Sequence, residues 1–205
     1  IDYFAEAPLP DGPPSFDMIS RLMRDKGVAD YVEAARLVKA EIPGARFTLV
    51  GRYEPENPTG YSEEDVERWV REGLVEHVPE TRDVRPFLAD AHAFVLPSFY
   101  REGLPRTILE ALAVGRPVIT TDMPGCREPI DPGENGWLVQ PKAAPELAAA
   151  MIRTVSDRQK LDSMAAAARQ TAVQNYSVDI VNAKLISEMQ LDQNPATETP
   201  AIAVG

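Results

Sequence analysis

The segment Pro97 to Thr121, PSFYREGLPRTILEALAVGRPVITT, carries a strand exit, a loop, a helix and a second strand in one unbroken run. Ala93 to Leu96 ahead of it is fully apolar, as a strand covered on both faces requires. Pro97-Ser98 ends that strand. Pro105 suits the first position of the following helix, where its missing N–H is no loss. Ile108, Leu109, Ala111 and Leu112 fall at helical spacing, and Gly115 closes the helix. Val118 to Thr121 supplies the next strand. A buried strand, a helix and a second buried strand at this spacing predict a βαβ unit, whose strands run parallel.

The alternation extends in both directions. Phe16 to Ile19 is an apolar run and Ser20 to Gly27 a polar loop, followed by a helix marked by Val32, Ala35, Leu37 and Val38 and closed by Pro43-Gly44. Phe47 to Val50 reads as a strand stopped by Gly51. Ser62 caps a helix through about Glu72, with Glu63, Glu64 and Asp65 in its first turn, where the helix dipole favours acids. Leu74 to Val78 predicts a strand, Val84 to Ala91 a helix, and Trp137 to Val139 a last short strand. From Ala143 onward the pattern is helical only, over Pro145 to Val155, Arg158 to Asn175 and Val178 to Gln190. The expected fold is α/β, a Rossmann-like doubly wound parallel sheet. The expected organisation is an interdomain linker over residues 1–14, a Rossmann-like domain over 15–175, a C-terminal helix over 176–190 and a disordered tail over 191–205. The linker reading rests on Ala5 to Pro14, which holds four prolines and a glycine.

Composition removes several functions. A net charge of −11 argues against a general nucleic-acid binder, because phosphate neutralisation needs clustered Lys and Arg. A small anionic ligand held by one or two local cations and backbone amides stays open. Cys126 is the only cysteine, and His77 and His92 lack helical spacing, so neither disulfides nor a metal site built from these types is expected. No apolar run approaches the roughly 18 residues a membrane span needs. A reducing, cytoplasmic setting fits. The chain opens on Ile in a Pro-rich stretch with no signal-peptide pattern, which reads as a start inside a longer protein.

In open α/β sheets the loops at the carboxyl ends of the strands form the ligand crevice, and residues 97–105 are such a loop. Gly103 lets a ligand approach the backbone, and free amides at the helix start offer an anion site. Glu102 stands in the loop. Glu110 lies inside the helix among apolar neighbours, where a carboxylate needs a partner: an arginine, solvent, or the hydroxyls of a sugar or ribose. Arg106 could touch a phosphate or simply cover the surface. His92 reads as structural, and Cys126 is assigned no chemistry.

Glu102 and Glu110, eight apart around Gly103-Leu104-Pro105 and followed by Ala111-Leu112-Ala113-Val114-Gly115-Arg116-Pro117-Val118-Ile119, resemble the signature of glycosyltransferase family 4. The resemblance includes Ser20-Arg21-Leu22 with Lys26-Gly27, Leu49-Val50-Gly51, Asp83-Val84 and Leu96-Pro97-Ser98. It continues through Asp122-Met123-Pro124-Gly125-Cys126-Arg127-Glu128 and Gly133-Glu134-Asn135-Gly136-Trp137-Leu138-Val139, and covers roughly residues 16 to 185.

The resemblance implies the C-terminal, nucleotide-sugar-binding domain of a two-domain GT-B enzyme that transfers with retention and without a bound metal or other cofactor. It implies Arg21, Lys26 and Glu102 as catalytic groups, the two cations on the donor diphosphate and Glu102 on the donor sugar. Glu110 would hold the ribose, with Gly103, Leu104, Pro105 and Arg106 completing the donor site. The implied partners are a UDP-sugar, a glycan or polyprenyl-diphosphate-linked acceptor, and an N-terminal domain through which any peripheral membrane contact would run. Two other readings remain open at this stage: a nucleotide-binding module without catalysis, which would not need Glu102, and a sugar-nucleotide epimerase on the same architecture.

Overall fold

The computed structural model describes residues 3–101 and 103–189. Six strands form one sheet: β1 (Ser15–Ile19), β2 (Arg46–Val50), β3 (Glu76–Val78), β4 (Ala93–Leu96), β5 (Val118–Thr121) and β6 (Gly136–Val139). Every pairing is parallel and the spatial order is β3-β2-β1-β4-β5-β6. The helices between and after them are α1 (Val28–Glu41), α2 (Glu63–Arg71), α3 (Arg85–Asp90), α4 (Arg106–Val114), α5 (Ala144–Val155), α6 (Arg158–Tyr176) and α7 (Val178–Glu188).

The continuous apolar strands explain the layering. β4 and β5 are buried along their whole length, so helices cover both faces. α1 packs on α5, while α4 packs on α3 and α6. Phe16, Phe47 and Tyr31 meet at the centre of the core, the two Phe rings stacked 5.2 Å apart.

The chain winds outward from β1 to β3, then returns to lay β4 on the other side of β1. Two adjacent parallel strands whose connections leave in opposite directions open a crevice between their loops at the carboxyl ends. In this sheet that point lies between β1 and β4. The functional loops are therefore Ser20 to Gly27 and Pro97 to Pro105.

Two boundaries differ from the sequence reading. The β3 ladder starts at Glu76, paired with Thr48, so Leu74 and Val75 are buried but precede it. α4 starts at Arg106, and Pro105 is its N-cap with an extended ψ of 124°. Pro105 still contributes its fixed φ of −62°, one position earlier than expected. α6 runs to Tyr176 and α7 occupies Val178–Glu188, while the stretch from 190 to 205 lies outside the described residues.

Candidate functional site

The two loops at the crevice are knitted to each other. Gly27 has φ +77°, and a Cβ there would stand 2.1 Å from the carbonyl oxygen of Pro97. Only glycine allows this approach. Two residues earlier in the same turn, the carbonyl of Asp25 accepts hydrogen bonds from the amides of Phe99 (2.9 Å) and Tyr100 (3.2 Å) and from the Ser98 hydroxyl (3.3 Å). Ser98 is itself fully buried, and its carbonyl accepts from the Thr121 hydroxyl on β5. The loop after β4 is thus fixed both to the loop after β1 and to the neighbouring strand.

That arrangement positions the cations. Lys26 ends a short 3-10 turn (Arg24–Lys26), and its ammonium sits 5.4 Å above the Tyr100 ring. Arg21 is exposed and lines a cavity of about 190 Å³ with Ser20, Gly51, Thr81, Val84 and Thr107. A second cavity of about 470 Å³ shares Glu80, Thr81, Val84 and Thr107 with the first and adds Glu110, Arg106, Arg82, Tyr3 and Phe4. Four shared lining residues make these one crevice, with Arg21 at its inner end and Glu110 at its outer end.

Glu110 is mostly withdrawn from water, its side chain 15% exposed. Its partner among the described residues is Arg106, four residues earlier and 3.4 Å away, whose own side chain is 89% exposed. Burial raises the Glu110 carboxyl above the ordinary glutamate range, against the lowering pull of Arg106. So long and solvent-exposed an ion pair contributes little. It leaves a desolvated carboxylate facing a cavity, which suits hydroxyl donors. Leu104 is half-buried and Pro105 buried, holding the α4 start against the core. Gly103 is exposed, and a Cβ there would meet nothing within 4 Å, so no protein packing demands glycine at that position. Glu102 lies outside the described residues.

The structure therefore brings Arg21, Lys26, Gly103, Leu104, Pro105, Arg106 and Glu110 to one end of the sheet. It adds Thr81, Val84 and Thr107, which the sequence reading did not single out for the site. Thr107 follows Arg106 at the start of α4, and Thr81 lies in the loop after β3, so each sits at a carboxyl-end connection. That topological position was the available signal. His92 lies at the opposite end of the sheet, its ring bonded to the Ser15 hydroxyl (2.8 Å) and to the Ser15 amide (3.1 Å), and burial lowers its pKa. Cys126 is fully buried in the core. Both are packing residues.

Much of the remaining motif is structural. Arg127 pairs with Asp122 at 2.9 Å, and Glu128 accepts from the Gly125 amide at 2.8 Å, closing the turn after β5. Asn135, fully buried, bonds the Asp131 amide, the Pro129 carbonyl and the Thr171 hydroxyl. Gly136 allows β6 to reach β5, since a Cβ there would stand 2.0 Å from the Val118 carbonyl oxygen. Among the described residues no group of three His, Cys, Asp or Glu side chains is placed to hold a metal ion, and no helix is long and apolar enough to cross a membrane.

A parallel sheet with a crevice at its switch point, lined by basic and acidic side chains and a helix start, defines a Rossmann-like domain, here the C-terminal domain of the GT-B architecture. The chain belongs to the glycosyl transferases group 1 family, whose model matches residues 13–157. It is 33% identical over 171 residues to the Campylobacter jejuni N,N'-diacetylbacillosaminyl-diphospho-undecaprenol alpha-1,3-N-acetylgalactosaminyltransferase, covering 83% of this chain and 43% of that protein. It is 32% identical over 142 residues to the amylovoran biosynthesis glycosyltransferase AmsK of Erwinia amylovora, covering 66% of this chain and 34% of that protein. The crystal structure of Anabaena HepE in complex with UDP superposes with a TM-score of 0.77 at 24% identity, over 87% of this chain and 49% of that one. The chain thus spans half or less of the length of these relatives.

Proposed function

We propose that this chain is the donor-binding half of a retaining glycosyltransferase that moves a sugar from a UDP-sugar to a glycan or lipid-linked acceptor in bacterial polysaccharide synthesis. The observation that carries this reading is the continuous crevice from Arg21 to Glu110 at the β1/β4 switch point. The inner end, with Arg21 and the first amides of α4, suits a diphosphate, and Lys26 in the same loop is assigned to it as well. The outer end, with the desolvated Glu110 carboxylate, suits the two ribose hydroxyls.

The chemistry follows from this placement. Departure of the sugar leaves negative charge on the terminal phosphate. Arg21, Lys26 and the helix-start amides stabilise that charge as it develops, so they lower the barrier rather than only the binding energy. Two side-chain cations can do this without a divalent ion, and the transfer is proposed to be metal-independent. Glu102, next to Gly103, is assigned to the donor sugar. The acceptor is assigned to a further domain outside these residues, and any membrane contact to that same domain.

Calorimetry of this chain with UDP and with GDP, each with and without EDTA, tests the reading. The expected result is nucleotide binding that EDTA does not change. Strict dependence on Mg²⁺, or no binding of either nucleotide, overturns it.

A further inference from the structure

Residues 3–14 form no regular secondary structure, yet they are fastened to the domain at closely spaced points. The Arg116 guanidinium, fully buried between α4 and β5, donates all five of its N–H groups to carbonyls: Ala7 (2.9 Å) and Pro8 (2.8 Å) on this segment, and Leu88, Ala89 and Gly115 on the domain. Burial lowers its pKa only to about 10, so it stays charged at neutral pH. Arg169 on α6 donates to the Phe4 carbonyl (2.9 Å), Arg158 to the Pro10 carbonyl (3.2 Å), and the Ala7 amide donates to Val114 (3.1 Å). The Arg85 guanidinium lies 4.1 Å from the centre of the Tyr3 ring. These anchors set where the rings of Tyr3 and Phe4 stand.

They stand at the crevice. Tyr3 and Phe4 pack edge to face at 5.2 Å and line the outer cavity together with Thr81, Arg82, Thr107 and Glu110. The order of groups along the crevice says which part of a nucleotide reaches them. Of these two cavities Arg21 lines the inner one and Glu110 the outer one, and Glu110 and Phe4 also border a neighbouring cavity towards α6. With the diphosphate inside and the ribose on Glu110, the base must lie beyond Glu110, against the aromatic pair. A cavity of about 470 Å³ falls within the range of small-molecule pockets and has room for a nucleoside. A planar base presents two apolar faces to such rings, and aromatic contact is the general way proteins hold bases without reading their edges.

We propose that Tyr3 and Phe4 form the outer wall of the nucleoside pocket and contact the base of the bound nucleotide, which makes the fastened entry segment part of the donor site. The inference rests on the nucleotide-binding reading above. Its consequence is reciprocal: a nucleotide that touches this segment steadies it, and a segment held in register raises nucleotide affinity.

The test uses the chain with Tyr3→Ala and, separately, Phe4→Ala, read by UDP calorimetry, together with amide hydrogen exchange of residues 3–8 in the unsubstituted chain. Tyr3 is 60% exposed, so its replacement leaves the fold and melting temperature nearly unchanged. The expected result is UDP affinity weakened roughly 5- to 150-fold in each variant, the range that loss of one base–aromatic contact gives. Saturating UDP should slow exchange at residues 3–8, and saturating inorganic pyrophosphate, which has no base, should not. UDP affinity within twofold of the unsubstituted chain in Tyr3→Ala and Phe4→Ala overturns the inference while leaving the nucleotide reading intact. So does equal protection by pyrophosphate. An unsubstituted chain that binds no UDP overturns the nucleotide reading itself, and this inference with it.

Discussion

At the scale of single residues, the two glutamates of the motif are expected to separate by what they hold. A contact from Glu110 to the ribose exists equally before and during transfer, so its loss weakens binding rather than rate. Replacing a charge-assisted hydrogen bond costs about 1.5–3 kcal/mol. Glu110→Gln should therefore weaken UDP roughly 10- to 150-fold by calorimetry. Glu102, proposed to hold the donor sugar, would have no partner in free UDP. In the full-length enzyme Glu102→Gln should lower kcat with UDP affinity nearly kept. Equal loss of UDP affinity in both variants would refute this division. Glu110 also carries a pH signature. Its carboxyl titrates above the ordinary glutamate range because it is desolvated, and protonation would remove acceptor capacity from the proposed ribose contact. As pH falls through that raised value, UDP affinity should drop, starting at a higher pH than an exposed glutamate would give. Glu110→Gln should lose this acid limb.

At the scale of loops and elements, two glycines of the same site have opposite roles. Gly27 combines a left-handed φ of +77° with a backbone contact to Pro97, so Gly27→Ala must move one site loop off the other. A left-handed alanine alone costs about 1–2 kcal/mol, and displacing a carbonyl adds to it. The expected melting temperature falls by roughly 2–8 °C or more for a chain of this size, and UDP affinity falls with it. Gly103→Ala should leave melting unchanged, since its Cβ would meet open space. If that space is filled by the donor, the same change weakens UDP-sugar binding. Unchanged binding of UDP-sugar in Gly103→Ala would move the donor away from the α4 start. The contrast also shows what the sequence could reveal. The strands were legible because β4 and β5 are apolar at every position but the two closing threonines, and the α4 turn because Pro105 and Gly115 bracket it. The fastening of Asp25 to Phe99 and Tyr100 was not, because it joins segments about 75 residues apart through a main-chain carbonyl. Neither was the ordering of residues 3–14. Four prolines there read as a linker, and four of its carbonyls accept hydrogen bonds from three arginines, an attachment that needs no N–H from proline.

At the scale of the whole molecule, the described crevice is built by one sheet and its loops. The crevice at the β1/β4 switch point opens away from the sheet, and the chain spans only 43% of the length of its Campylobacter relative. Sugar transfer needs the acceptor hydroxyl held within reach of the anomeric carbon, and it needs water kept from the same carbon. Neither can be done by a single wall of a cleft. Binding and turnover should therefore come apart in this chain. UDP should bind, because the inner and outer ends of the crevice both lie between residues 3 and 110. Transfer from a UDP-sugar to a lipid-linked or glycan acceptor should be undetectable, because positioning is worth about 7–11 kcal/mol of the barrier and the acceptor is proposed to bind outside these residues. Radiolabelled UDP-sugar with a polyprenyl-diphosphate-linked sugar, assayed with this chain and with the full-length enzyme side by side, measures the difference. Rapid transfer by the chain alone would place the acceptor site within these 205 residues, and the search for it would then return to the exposed surfaces of the loops after β5 and β6.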